Sequence, residues 1–156
     1  MAKPFDATLK ELVEQFPRDW LAQFGLPAAG SVEVVDADLS TISTQADRVL
    51  LVNEAEPWLL HLELQSSRDP EMSRRVLRYH ALLHDRHRLP VHSLVLLLRP
   101  EADDPRLTGR VEYRSAAGRG GLRLEFEVAR LWQHPVESIL TGGLGTLPLN
   151  EAAHGM

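Results

Sequence analysis

The chain has no cysteine. Disulfide stapling and thiolate chemistry are therefore excluded, and any metal must be held by carboxylate, imidazole or carbonyl groups. No apolar run approaches the roughly 20 residues of a membrane-spanning helix, and the first residues lack the basic-then-apolar order of a secretory signal. The expectation is a cytoplasmic protein with no membrane contact. An excess of positive charge is missing too: 17 Lys and Arg stand against 22 Asp and Glu, a net charge of -5. Such a balance argues against a surface that coats nucleic acid generally, and it leaves room for a local basic stripe. What is present, 44% hydrophobic and 25% charged residues in a chain of 156, is ordinary for a globular fold with one sizeable core. One domain over 1–141 is expected, followed by an irregular tail, 142–156, that reads as cut short.

The most informative stretch runs from Asp47 to Gln65. It reads RVLLV, NEAEP, WLLHLELQ after the aspartate, two strand-like runs joined by a short polar loop with a proline. If Val52 pairs with Trp58, each step outward keeps the position sum constant and Asp47 falls opposite Glu63. Directly opposed residues share a sheet face with Cβ atoms roughly 5 Å apart, so two like charges placed there destabilise the ladder unless a cation intervenes. The alternation puts Arg48, Leu50, Val52, Trp58, Leu60, Leu62 and Leu64 on one almost wholly apolar face. On the other, Val49, Leu51 and Leu59 lie toward the loop, and Asp47, His61, Glu63 and Gln65 gather at the far end. The register is an assumption, and a slip by one residue would part the two acids.

Ahead of this hairpin, Leu9, Leu12, Val13, Phe16, Trp20, Leu21 and Phe24 recur at helical spacing, with Pro17 as a break and Gly25 then Pro27 as the close. Glu11 and Glu14 lie three apart on that helix. Val32 to Leu39 reads as a first strand in which Asp36 and Asp38 share a face and compete with Asp47 as ligands. After Gln65 the pattern turns helical: Asp69 suits an N-cap, Pro70 the first helical position, and Met72, Val76, Tyr79 and Leu83 the buried stripe. Arg74, Arg75, Arg78, Arg86 and Arg88 decorate the remainder, with Arg68 just before the cap, and guanidinium groups suit bidentate phosphate contact.

Pro90 stops the helix, and VHSLVLLLR from Val91 is a nearly continuous apolar run of the kind covered on both faces. A helix between two such strands implies a crossover and a parallel neighbour. Arg110 to Arg114 and Leu122 to Val128 read as two further strands. The AAGRGG between them is a hairpin loop, because no helix flanks it to make a phosphate-binding loop. A short helix is expected from Val136 to Leu140. His80, His84 and His87 fall on one helix without an HExxH pattern. No serine sits in a nucleophile elbow.

FDATLKEL, ADRVLLV, LHLELQSSRDPEMSRRVLRY, PVHSLVLLLRP and LGTLPL, in that order across residues 5 to 149, resemble the Rpn family of recombination-promoting nucleases and putative transposases. That family belongs to the PD-(D/E)XK nuclease superfamily. The resemblance implies an α/β fold with a restriction-endonuclease-like core: a mixed sheet with a three-strand meander, a crossover helix and a parallel strand, here with a C-terminal hairpin. It implies a cytoplasmic, Mg²⁺- or Mn²⁺-dependent DNA endonuclease linked to transposition and recombination, with DNA as partner and a homodimer as an open option. By position, Asp47 and Glu63 would be the metal-binding carboxylates and Gln65 would stand where the wider superfamily has lysine. An acid on the first helix would join them, with Glu14 preferred to Glu11. Arg75 and Tyr79 match the family's R-x-x-x-Y helix and, with Arg74 and Arg78, would meet DNA phosphates. Two other readings are a catalytically silent nucleic-acid-binding or interaction module on the same fold, and an enzyme whose metal sits on His80 and His84.

Overall fold

The computed structural model describes residues 4–26, 28–35, 37, 48–114 and 120–135. Asp36, Asp38 and Asp47, the helix expected at 136–140 and the tail lie outside the described residues. Two helices open the fold, α1 (Pro4–Gln15) and α2 (Pro17–Gln23). Pro17 divides them by starting the second, where its missing N–H costs nothing. Leu26 and Gly25 return hydrogen bonds to the carbonyls of Leu21 and Ala22, and Gly25 takes the left-handed φ of 66° that this helix closure requires.

The strands β1 (Val32–Val35), β2 (Arg48–Val52) and β3 (Trp58–Gln65) form an antiparallel meander. Helix α3 (Met72–His87) then crosses over to β4 (Val91–Leu97), which runs parallel to β3. The register of β2 against β3 pairs Val52 with Trp58 and Arg48 with Leu62. That is the register read from the sequence. The loop between them is closed by the Trp58 indole, which donates to Glu54 Oε1 at 2.8 Å.

Helix α3 carries the expected buried stripe of Met72, Val76, Tyr79 and Leu83, because the 3.6-residue period admits no other face of that composition. Its start differs in detail from the expectation. Asp69 accepts the Glu71 N–H at 2.9 Å, and regular helix begins only at Met72, so Pro70 and Glu71 form the entering turn. Arg88, at a left-handed φ of 56°, ends the helix by donating its backbone N–H to the His84 carbonyl.

The expected strand from Leu122 to Val128 is instead two. After β5 (Arg110–Arg114), β6 (Gly121–Glu125) pairs with β5 as a separate two-stranded ribbon, while β7 (Glu127–Arg130) adds to the main sheet parallel to β4. The switch falls at Phe126, whose N–H is taken by the Gly109 carbonyl at 2.9 Å. Gly109 has φ 81°, and a Cβ on it would stand 2.8 Å from the Phe126 oxygen, so only glycine fits this crossing point. No proline or glycine marks the break within LRLEFEVAR, and tertiary packing of Phe126 decides it.

The result is a mixed α/β structure with a five-stranded sheet in the order β1-β2-β3-β4-β7 and helices on both faces. Leu9, Val13, Trp20 and Leu21 of α1 and α2 meet Leu50, Leu60, Leu62, Leu94 and Leu96 on one face. Val76, Tyr79 and Leu83 of α3 cover Val49, Leu59, Val95 and Leu97 on the other. No helix among the described residues is long and apolar enough to cross a membrane.

Candidate functional site

The face of β3 that meets α3 begins apolar at Leu59 and turns polar at His61, Glu63 and Gln65. His61 and Glu63 are buried, with 0% and 1% of their surface exposed. A carboxylate so enclosed must be matched by donors or become neutral. It is matched twice: His61 Nε2 lies 2.9 Å from Glu63 Oε1, and the Arg75 guanidinium donates to Oε2 at 3.3 Å. Arg75 comes from the first turn of α3, and its other terminal nitrogen holds Asp69 at 3.0 Å. The helix entry and the strand end are thus joined through one cation.

From His61 the chain of contacts continues across the sheet. The parallel register sets Ser93 of β4 beside His61, and Ser93 Oγ lies 3.0 Å from His61 Nδ1 and 2.9 Å from His80 Nδ1. Tyr79 packs its ring edge-on against His61 at a centroid distance of 5.6 Å. Burial, and after it the nearby charges of His61, His84 and His92, bring the His80 pKa down from 6.5 to about 4, so this ring is neutral at physiological pH.

The carboxyl ends of the parallel strands are also braced. Arg130, ending β7, grips Asp103 through bonds of 2.8 and 3.1 Å, and Arg106 grips Asp104 in the same two-pronged way. The Arg130 bond holds the Asp103 carboxyl below its ordinary range, and Arg106 brings Asp104 down to about 2. Arg68 donates to the Asp103 carbonyl at 3.0 Å. In open α/β sheets this end of the strands is where ligands bind.

Of the residues expected to act together, Glu63 and Arg75 meet directly, and Gln65 follows Glu63 on the same strand face. Asp47 lies outside the described residues. Glu14 is not brought to them: its carboxylate pairs with Arg48 Nε at 2.8 Å. Arg48 stands opposite Leu62, on the side of the sheet that faces α1 and α2, so the sheet separates Glu14 from Glu63. Glu11 is exposed. Arg74 and Arg78 stand exposed on α3, Arg74 within 3.7 Å of Glu71, whereas Tyr79 is only 3% exposed and serves the interior.

For a hard cation, Glu63 offers the right oxygen chemistry, but it is enclosed and already matched by Arg75. Among the described residues no three His, Cys, Asp or Glu side chains gather as a metal cage. The described donors therefore do not make up a metal site by themselves. Sequence reasoning placed His61 beside Glu63 but missed Ser93 and His80 as their partners. A signal existed: Ser93 interrupts the otherwise aliphatic side of β4 formed by Val91, Val95 and Leu97. Compared with protein-family models, with curated proteins and with solved structures, the chain matches none of them.

Proposed function

We propose that the protein is a metal-dependent DNA endonuclease, linked to transposition or recombination, on a PD-(D/E)XK-type core. The observation that supports this most is the β3-α3-β4 unit, which follows an antiparallel meander and sets Arg75 of the crossover helix 3.3 Å from Glu63 at the end of β3. Asp47 and Glu63 would hold a Mg²⁺ or Mn²⁺ ion, which supplies an activated water and a polarised phosphoryl oxygen when bound. Gln65 orients by hydrogen bonding and carries no charge. Arg74 and Arg78 take backbone phosphates from the exposed side of α3, a contact that positions DNA without reading its sequence. The test is nicking of supercoiled plasmid in Mg²⁺ or Mn²⁺ by the natural protein and by Glu63→Gln, which preserves shape. Nicking that disappears in the variant is the expected result. Equal nicking by both proteins sinks the reading.

A second reading has its own observation. Both oxygens of Glu63 are engaged inside the protein and the residue is 1% exposed, as suits a carboxylate kept for structure in a silent nucleic-acid-binding or interaction module. DNA binding that ignores Mg²⁺ and never cuts would select it.

A further inference from the structure

His80 and His84 lie one turn apart on α3, where i and i+4 side chains are neighbours with Cβ atoms about 5–6 Å apart. Each has its Nδ1 fixed, His80 by Ser93 of β4 and His84 by Leu89 in the turn that leads into β4. The Leu89 carbonyl sits 2.7 Å from His84 Nδ1. A carbonyl only accepts, so His84 Nδ1 carries the proton and the neutral ring has its lone pair on Nε2. His80 Nδ1 meets Ser93, which stands between two imidazoles with a single hydroxyl proton. One ring must take that proton and the other must give its own. With its Nε2–H directed to Glu63 Oε1, the His61 ring offers Nδ1 to the Ser93 hydroxyl. His80 is left to donate from Nδ1, with its lone pair on Nε2.

Two imidazoles one turn apart thus both present Nε2 lone pairs, each with its other nitrogen bonded to a fixed acceptor. Metal-ligating histidines almost always have such a bond on the nitrogen that faces away from the ion. From this we infer that His80 and His84 form a two-histidine site for a borderline divalent transition ion of the Zn²⁺, Cu²⁺ or Ni²⁺ class, with water completing the coordination. Imidazole nitrogen favours these ions over Mg²⁺, so the site differs in chemistry from Glu63, to which His80 is joined through Ser93 and His61. His84 is exposed and His80 partly so, which leaves an approach from solvent. His87, on the same helix, has a buried Nε2 without a hydrogen-bond partner and is turned inward.

The test is titration of the full chain with Cu²⁺ and Zn²⁺, by calorimetry and by the nitrogen hyperfine pattern of bound Cu²⁺. One saturable ion with two imidazole nitrogens is expected. His80→Ala and His84→Ala should each weaken binding about tenfold or more, and Ser93→Ala about 10–100-fold through loss of the orienting bond. Ser93→Thr, which restores the hydroxyl, should recover affinity, and His87→Ala should bind like the natural protein. The exposed His84 keeps the test open if the His80 or Ser93 variants fail to fold. Absence of saturable binding, or binding untouched by His84→Ala, would overturn the proposal. A loss in His87→Ala as large as that in His84→Ala would overturn it too.

Discussion

The two faces of the central sheet are made by the same strands, yet they solve different problems. Toward α1 and α2, β2, β3 and β4 present leucine and valine almost without interruption. Toward α3 the same strands present Val49, Leu59 and Val95, but also His61, Glu63 and Ser93, all buried. The first face is held by area and close packing, which tolerate conservative repacking. The second holds a carboxylate whose cost is met only while its partners stay in place, and a half-satisfied network of that kind is worse than none. A fold with one solid apolar face can carry a polar assembly on the other.

The contrast can be tested from each side. The largest loss should follow Leu62→Ala: Leu62 is 1% exposed within the apolar layer, and truncation there should cost about 2–5 kcal/mol in urea unfolding. A cost under about 1 kcal/mol would mean that the layer collapses around the gap. Arg75→Met probes the other face by leaving Glu63 buried without its cation. The expected loss is near the lower end of about 3–5 kcal/mol, because 32% of the Arg75 side chain remains in water. If the variant is as stable as the natural protein, Glu63 is not held as an ion and the distinction between the faces fails.

The smallest effect is a pH dependence. The folded protein keeps His80 neutral down to about pH 4, whereas the unfolded chain takes up that proton near 6.5. In this window the unfolded state binds more protons, so stability falls as pH drops from 6.5 toward 4 and the contribution is steady above 6.5. In His80→Gln the decline in urea midpoint over that range should be shallower. An unchanged slope would show that the ring titrates freely and is not part of the polar face.

How much of this was legible follows from the range of each interaction. The stripe on α3 and the β2-β3 pairing were readable because both depend on near neighbours: a 3.6-residue period in one case, a short loop that fixes the register in the other. The crossover to a parallel β4 was readable from the order of strand, helix and strand. The strand switch at Phe126 was not, since LRLEFEVAR is uniformly strand-like and only the hydrogen bond that Phe126 donates to the Gly109 carbonyl and the packing of Phe126 divide it. Glu63 and Arg75 were both marked as important, but their meeting at 3.3 Å depends on where the crossover helix lands. Glu14 was marked as well and went to Arg48, because α1 packs on the other side of the sheet.

Periodicity and loop length in the chain alone settled which residues share a strand face and which face of α3 turns inward, because local backbone geometry allows few alternatives. The docking of α3 over β3 and β4 settled that Glu63, His61, Ser93 and His80 form one continuous chain of contacts. Hydrogen bonds act over about 3 Å, and only the packed fold brings residues 13 to 32 positions apart within that distance.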